Sequence, residues 1–459
     1  MINKPKYILP TIGPSSEDER SLKQILKLSN VVRLNGSHNT LKWHEKIIQK
    51  IKKIDDSTVI LFDIPGIKPR TMNKTDISVK KNQIIKLVDK NYNKNSKNVI
   101  SLSNPIPLLH KKTDSFSISD GQYHFKITKK GKGYIEGKSL SNCIIKPKKG
   151  VNIPFSSYDE KLQCKVYEAF IRKSKKIGYD ALGISFIQDA KTLSYLKAKF
   201  PEIIIVSKIE NAVGLQNLSD ICSNSDAVMI DRGDLSAEIR DYNLFSAITS
   251  IAKETKLKGK PLIMATENLD SMQLRSSPTK SEIVSLGYST SLNTDKIMLS
   301  EETAISSNWK NIITWLNKFL LNENNTLQDN VFGDRQLKED KNYSIWKTIS
   351  QLEGMPIIIF SRSGEAIQKV KSINPYIRIL VFTDTNRTIK LSKFWKNVEC
   401  IKLSKFDNTR GNKFVFNTLK SYQAQVFNKN KSAAVLYISD PKPGSRANTI
   451  SIIQKDEFF

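Results

Sequence analysis

Short apolar runs rich in Ile and Val recur along roughly the first 300 residues, each followed by a turn and an amphipathic helical pattern. A continuous apolar run of this length reads as a strand buried on both faces, the pattern of a parallel sheet covered by helices. The runs fall at 7–13, 30–35, 58–63, 180–186, 202–210, 227–234, 261–266 and 296–302. Between them, segments such as 21–29, 43–54, 161–176, 191–200 and 241–256 carry helical periodicity. Eight successive βα units fit a closed parallel barrel better than an open sheet.

The pattern breaks twice. Residues 72–150 change to alternating apolar and polar positions at 77–88, 116–127 and 133–145, which predicts a small antiparallel insertion after the third strand. Residues 322–343 are polar and read as a linker, after which apolar runs at 355–360, 376–383, 398–403 and 433–438 alternate again with helical patterns. The expected fold class is therefore α/β. Residues 1–71 with 151–321 form a (β/α)8 barrel, 72–150 form a β-rich inserted domain, and 344–459 form a C-terminal α/β domain.

Composition narrows this picture. The chain has 459 residues, of which 39% are hydrophobic and 26% charged, close to globular averages, so wholesale disorder and filaments are excluded. Four cysteines, Cys143, Cys164, Cys222 and Cys400, lie far apart without CxxC spacing. Neither a disulfide framework nor a zinc cluster is expected, and a reducing cytoplasm is. Cys164 and Cys222 read as packing residues. No window of eighteen apolar residues occurs, and the polar, basic residues 1–6 lead into no apolar segment, so no membrane association is expected.

The formal net charge is +28. Residues 72–150 hold 17 lysines against 5 acids, so nearly half of the excess lies in this short insertion. A patch of this kind binds either nucleic acid or small phosphorylated molecules. It has few aromatics among its lysines and no helix-turn-helix or RNP-like pattern, so nucleic acid is not the expected partner.

In a βα barrel the chemistry gathers at the C-terminal ends of the strands. The second run delivers Arg33, Asn35, Ser37 and His38; the third Asp63, Lys68 and Arg70; the fourth Ser185 and Phe186; the fifth Lys208 and Glu210. The sixth gives Arg232, Gly233 and Asp234, the seventh Thr266 and Glu267, and the eighth Ser300 and Glu302. Glu210 and Asp234 are hard oxygen donors suited to Mg²⁺ (or Mn²⁺). Lys208 shares a strand face with Glu210, where an ammonium beside a metal stabilises a transferring phosphoryl group, and Arg33 suits a bidentate phosphate clamp. Each residue also has a structural reading: an ion pair for Lys208 and Glu210, a helix cap for Asp234, a clamp for Arg33. The glycines of Gly131-Lys-Gly-Tyr-Ile-Glu-Gly137-Lys138-Ser139 miss both phosphate-loop spacings by one residue and read as a strand with turns.

These residues stand in strings that resemble the pyruvate kinase family over essentially the full length. They are Thr11-Ile-Gly-Pro-Ser-Ser16, Val32-Arg-Leu-Asn-Gly-Ser-His38, Lys149-Gly-Val-Asn-Ile-Pro154, Ser207-Lys-Ile-Glu-Asn211, Arg232-Gly-Asp-Leu235, Ala265-Thr266 with Ser271-Met272, Pro278-Thr279, and Met298-Leu-Ser-Glu-Glu-Thr-Ala304. The resemblance implies a glycolytic phosphotransferase moving a phosphoryl group between phosphoenolpyruvate and ADP, giving pyruvate and ATP. By position, it implies that Lys208 stabilises the phosphoryl group, Glu210 and Asp234 hold Mg²⁺, and Arg33 grips phosphoryl oxygens. Thr266 lies by the protonated face of the enolate, and amides around Gly233 and Asp234 receive the substrate carboxylate. His38, Arg70 and Lys149 match nucleotide-phosphate contacts, so the basic insertion becomes a lid over ADP. A homotetramer is implied as well.

Departures from the family pattern matter. Asn35, Ser37, Asp63 and the Ile64 carbonyl match a monovalent-cation site, but Lys68 replaces the Glu of potassium-dependent members. Its ammonium can stand in for K⁺, so activity without K⁺ is expected. Thr-Lys-Gly-Pro-Glu becomes Ile64-Pro-Gly-Ile-Lys68, Asp-Asp-Gly becomes Ser119-Asp-Gly121, and Ser-Gly-Glu-Thr becomes Ser300-Glu-Glu-Thr303. The Asp and Asn of the family's helix after Pro278-Thr279 are missing, with Ser285 and Tyr288 in the region. Asp231 replaces a small residue beside the carboxylate site. A carboxylate about 4 Å from that of the substrate would cost roughly 1 kcal/mol in water and nearer ~4 at an effective dielectric of about 20. A paralogue acting on another enol or hydroxy acid phosphate is therefore the alternative, with a non-catalytic homologue as a third reading. Ser361-Arg-Ser-Gly364 resembles the family's effector-phosphate loop, and its plainer reading is a helix cap.

Overall fold

The computed structural model describes residues 6–90, 98–119, 121–323, 343–352, 354–405, 411–427, 431–437 and 449–458. All eight apolar runs of the first part become strands: β1 (Ile8–Pro10), β2 (Val31–Asn35), β3 (Val59–Ile64), β4 (Ala181–Ile184), β5 (Ile204–Ile209), β6 (Ala227–Asp231), β7 (Leu262–Ala265) and β8 (Lys296–Leu299). Each pairs in parallel with the next from β2 to β8, and β8 pairs with β1. The ring closes where Ile12 N donates to Arg33 O at 2.9 Å beside a parallel bridge between Thr11 and Arg33. The run expected to continue to residue 234 stops at Asp231 because a helix, Arg232–Ile239, begins at once. Arg232, Gly233 and Asp234 thus lie on a first helical turn rather than on the strand.

Residues between β3 and β4 form an antiparallel-rich sheet with the order Val151–Asn152, Ser115–Ile118, Tyr123–Gly131, Tyr134–Ser139, Ile84–Val88, Val99–Ser101. Its own apolar cluster includes Ile85, Leu87, Phe116, Phe125 and Ile135, with Phe116 and Phe125 stacked at 4.9 Å. The glycines of 131–137 fall in the hairpin joining two of these strands, with no helix following. The segment expected to be a linker lies outside the described residues except at its ends, where the helices Trp309–Glu323 and Tyr343–Ser350 stop and start.

The C-terminal unit is a five-stranded sheet among the described residues: β9 (Ile357–Phe360), β10 (Ile379–Thr383), β11 (Val398–Lys402), β12 (Ser432–Tyr437) and β13 (Thr449–Gln454), in the order β11-β10-β9-β12-β13. The last strand, antiparallel to β12, has mixed burial and no clean apolar run, so the sequence pattern did not reveal it.

The barrel and this unit share one apolar cluster, from Leu9, Val31, Leu61, Val206 and Met229 inside the barrel to Ile357, Ile379 and Phe394 beyond it. Three aspartates repeat one arrangement at the N-terminal ends of alternate strands. Asp180, Asp226 and Asp295, just before β4, β6 and β8, accept from Ile60 N, Ile205 N and Leu262 N, each at 2.8 Å. Each also takes groups from the C-terminal unit: Lys390 Nζ at 2.6 Å, Arg387 Nη2 at 2.7 Å and Lys396 N at 2.9 Å, respectively. The approach is close enough that a Cβ on Gly259, whose φ is +62°, would lie 1.8 Å from Gln368 O. Only glycine fits there.

Candidate active site

At the C-terminal ends of the strands Lys208 of β5 is the centre of a buried ionic network. Its Nζ lies 2.7 Å from Glu210 Oε1, 3.2 Å from Asp63 Oδ2, 3.2 Å from Asp231 Oδ2 and 3.2 Å from Ser185 Oγ. Arg33 Nε and Nη2 both reach Asp63 Oδ2, at 2.9 and 2.7 Å, and Nη1 donates to Thr11 Oγ1 at 3.0 Å. Ser185 Oγ donates to Asp63 Oδ1 at 3.3 Å. Period-two alternation in β5 puts Lys208 and Glu210 on one face, as expected.

Lys208 and Arg33 together cannot offset Asp63, Glu210 and Asp231. Burial, with Asp231 and Asp234 nearby, pushes Glu210 up to about 8 despite the pull of Lys208. Burial alone would lower Lys208, but Asp63, Glu210 and Asp231 hold it well above its ordinary value. Burial alone would raise Asp63, but Lys208 and Arg33 hold it below its ordinary value. Asp234 is likewise lowered, against burial, chiefly by Lys68.

Glu210, Asp231 and Asp234 each offer a carboxylate oxygen, and these oxygens lie within 4.8 Å of one another. Glu210 Oε1 is fully buried, and its one polar contact among the described residues is the Lys208 ammonium, at 2.7 Å and out of line with an ideal hydrogen bond. A set of hard, converging oxygens fits a divalent cation.

The expected residues separate into a centre and a rim. Lys208, Glu210, Asp234, Arg33, Thr266 and Gly233 belong to the centre. Thr266 Oγ1 donates to Asp231 Oδ1 at 3.1 Å and accepts from Gly233 N at 3.1 Å, so the Gly233 amide is engaged within the chain. Asn35 stands beside Asp63 in the β2–β3 register and accepts from Ser37 N through Oδ1 at 3.0 Å; Ile64 follows Asp63 in β3. The Lys68 ammonium turns toward Asp234 Oδ1, at 2.5 Å, and lies 5.5 Å from the Phe186 ring centroid. His38 and Arg70 are exposed on the rim, with Arg70 Nη1 donating to Lys148 O at 3.2 Å, and Lys149 is half-buried.

Several features escaped sequence reasoning. Phe186, Thr266 and Glu267 have φ of 60°, 60° and 51°, left-handed conformations that side chains other than Gly rarely adopt. They turn the Phe186 amide onto Glu210 Oε2, at 2.6 Å, and the Thr266 hydroxyl back onto Asp231. Glu238, on the same helix as Asp234, is buried and accepts from Asn152 Nδ2 of the insertion at 2.9 Å. Burial raises it to about 7. No motif marks it; only the helical spacing of four from Asp234 hints at a shared face. In the C-terminal loop, Ser361 Oγ accepts from Gly364 N at 3.0 Å and Ser363 Oγ from Glu365 N at 3.3 Å, which closes the turn before the helix Glu365–Ile373; the residue at the cap is Gly364, with φ +83°, and no side chain caps the helix.

The family model described as pyruvate kinase, barrel domain, matches residues 3–310. The chain belongs to the pyruvate kinase family. Membership places it among the phosphotransferases. The pyruvate kinase of Thermococcus litoralis is 30% identical over 310 residues, 65% of either chain. That of Thermotoga maritima is 25% identical over 465 residues, 98% of this chain and 99% of the other. A pyruvate kinase from Cryptosporidium parvum shares the fold, with a TM-score of 0.81 at 22% identity over 98% of this chain and 96% of the other. Among the described residues no helix is long and apolar enough to cross a membrane.

Proposed function

We propose that this chain is a pyruvate kinase that transfers the phosphoryl group of phosphoenolpyruvate to ADP, with Mg²⁺ or Mn²⁺ and without K⁺. The observation that carries the reading is the Lys208 ammonium held among Glu210, Asp231 and Asp63 at the barrel mouth, with Arg33 fixed beside it by Asp63. Pre-held cations meet the charge on transferring phosphoryl oxygens without reorganising. Glu210 and Asp234 hold the metal, which when bound supplies further positive charge to those oxygens. Arg33 offers guanidinium N–H donors to a phosphoryl oxygen while Asp63 and Thr11 fix its orientation. The Thr266 hydroxyl lies where the enolate takes up its proton. The Gly233 amide passes from that hydroxyl to the substrate carboxylate.

The inserted domain leans on the helix that carries Gly233 and Asp234, through Asn152 on Glu238 and Asp114 on Arg240. In this reading Arg70 and Lys149 from its base, with His38 opposite, receive the nucleotide phosphates, and closure excludes water. An assay that couples pyruvate formation to a dehydrogenase, with phosphoenolpyruvate, ADP and Mg²⁺, tests the proposal. Turnover dependent on all three supports it; none under any metal or nucleotide condition refutes it. Asp231, buried against Thr266 beside the carboxylate site, favours a second reading in which another enol or hydroxy acid phosphate is the better substrate.

A further inference from the structure

Four carboxylates, from Asp63, Glu210, Asp231 and Asp234, share this pocket with three cations, Arg33, Lys208 and Lys68. Asp63 is matched by two of them directly, Arg33 and Lys208. Lys68 pairs with Asp234, so the one unmatched negative charge falls between Glu210 and Asp231, which share Lys208; oxygens of these three carboxylates converge within 4.8 Å. That separation is little beyond the about 4 Å between opposite donors of one Mg²⁺ at its usual bond lengths of roughly 2.0–2.1 Å.

Two further observations point the set at a cation. Glu210 Oε1 is fully buried and meets no aligned hydrogen-bond donor among the described residues; its one contact, the Lys208 ammonium at 2.7 Å, is shared with Asp63 and Asp231, which leaves this oxygen room for a second cation. The Asp234 side chain is 26% exposed, whereas those of Glu210 and Asp231 are 0% and 9% exposed, so the cup opens to solvent on one side. Asp231 is fixed in it from two directions, by Thr266 Oγ1 on Oδ1 and Lys208 Nζ on Oδ2.

We infer that Asp231 is a third protein ligand for the divalent metal. The inference rests on the proposed metal role of Glu210 and Asp234. Mg²⁺ is commonly held by one or two carboxylates, with waters and substrate oxygens completing its shell, so a third anionic ligand adds affinity to the substrate-free site.

The test is titration of the substrate-free full-length protein with Mn²⁺, following free Mn²⁺ by electron paramagnetic resonance. The wild-type protein should bind one Mn²⁺, and Asp231→Asn should weaken that binding tenfold or more. A change of less than threefold would overturn the inference. Glu210→Gln should weaken binding as well, and retained binding in that variant would instead defeat the underlying metal assignment. If Asp231→Asn does not fold, Thr266→Val takes its place. Removing the hydroxyl that fixes Asp231 should weaken Mn²⁺ binding, and unaltered or tighter binding would count against the ligand role. None of these readings requires phosphoenolpyruvate or turnover, so a negative kinase assay and a negative Mn²⁺ titration remain separate results.

Discussion

Lys68 Nζ donates to Asp234 Oδ1 at 2.5 Å, placing a fixed positive charge on the most open carboxylate of the site. On the proposed reading this ammonium takes over the charge that a monovalent ion brings in potassium-dependent members. Turnover in tetramethylammonium buffer free of K⁺ and Na⁺ is expected to lie within twofold of turnover with KCl. A steep rise with KCl would contradict this. Lys68→Met should lower the K⁺-free rate and leave an ionic-strength response different from that of the parent.

Lys208→Ala removes the one ammonium that faces Glu210, Asp63 and Asp231 together. Loss of about 3–4 kcal/mol of transition-state stabilisation corresponds to a kcat lower by on the order of 10²–10³. Single-turnover measurement with saturating substrate reads this directly. An unaltered rate would remove Lys208 from the chemistry.

Asp295 and Lys390 separate a fully buried ion pair from a half-exposed one at the junction of the barrel with the C-terminal unit. Asp295→Ala strands the buried Lys256 and leaves Leu262 N and Lys396 N without their acceptor. Such a loss costs about 3–5 kcal/mol. Lys390 is 41% exposed, and its buried partner Asp180 keeps Lys52 and Ile60 N, so its removal should cost only about 1 kcal/mol. Denaturant midpoints of the two variants should differ accordingly; equal effects would mean that the junction is not organised by Asp295.

Glu238 supplies a pH dependence. Its carboxyl is raised from 4.5 to about 7 by burial, so between those values the folded chain keeps a proton that the unfolded chain releases. Its contribution to stability is therefore complete below pH 4.5 and is lost as pH rises through about 7. The shift corresponds to about 3 kcal/mol as an upper bound. Glu238→Gln keeps an oxygen for Asn152 and cannot ionise, so its stability relative to the parent should grow by 1 to about 3 kcal/mol from pH 4.5 to pH 8. Parallel urea curves for both proteins across that interval would disprove it.

The barrel strands were legible because strands buried on both faces leave uninterrupted apolar runs, each ending where the polar mouth begins. Lys208 and Glu210 could be assigned to one face from strand periodicity alone. Other features depend on long-range placement. The left-handed turns at Phe186, Thr266 and Glu267 carry no Gly or Asn that would betray them. Asp231 could be noticed as a departure from the family pattern, but whether it faces Thr266 and Lys208 depends on where β6 ends and the next helix begins. The three aspartates below the barrel are widely spaced in sequence, and β13 lacks the burial that writes a pattern into a strand.

The apolar cluster that runs from the barrel lumen into the C-terminal sheet bears on how the chain is made. The first seven of its barrel residues, Leu9 to Val206, are synthesised long before Ile357, Ile379 and Phe394, which cover them from below. A ribosome-bound barrel therefore waits with a greasy underside until the last quarter of the polypeptide has emerged. Truncation after the eighth βα unit would leave that underside permanently open to self-association.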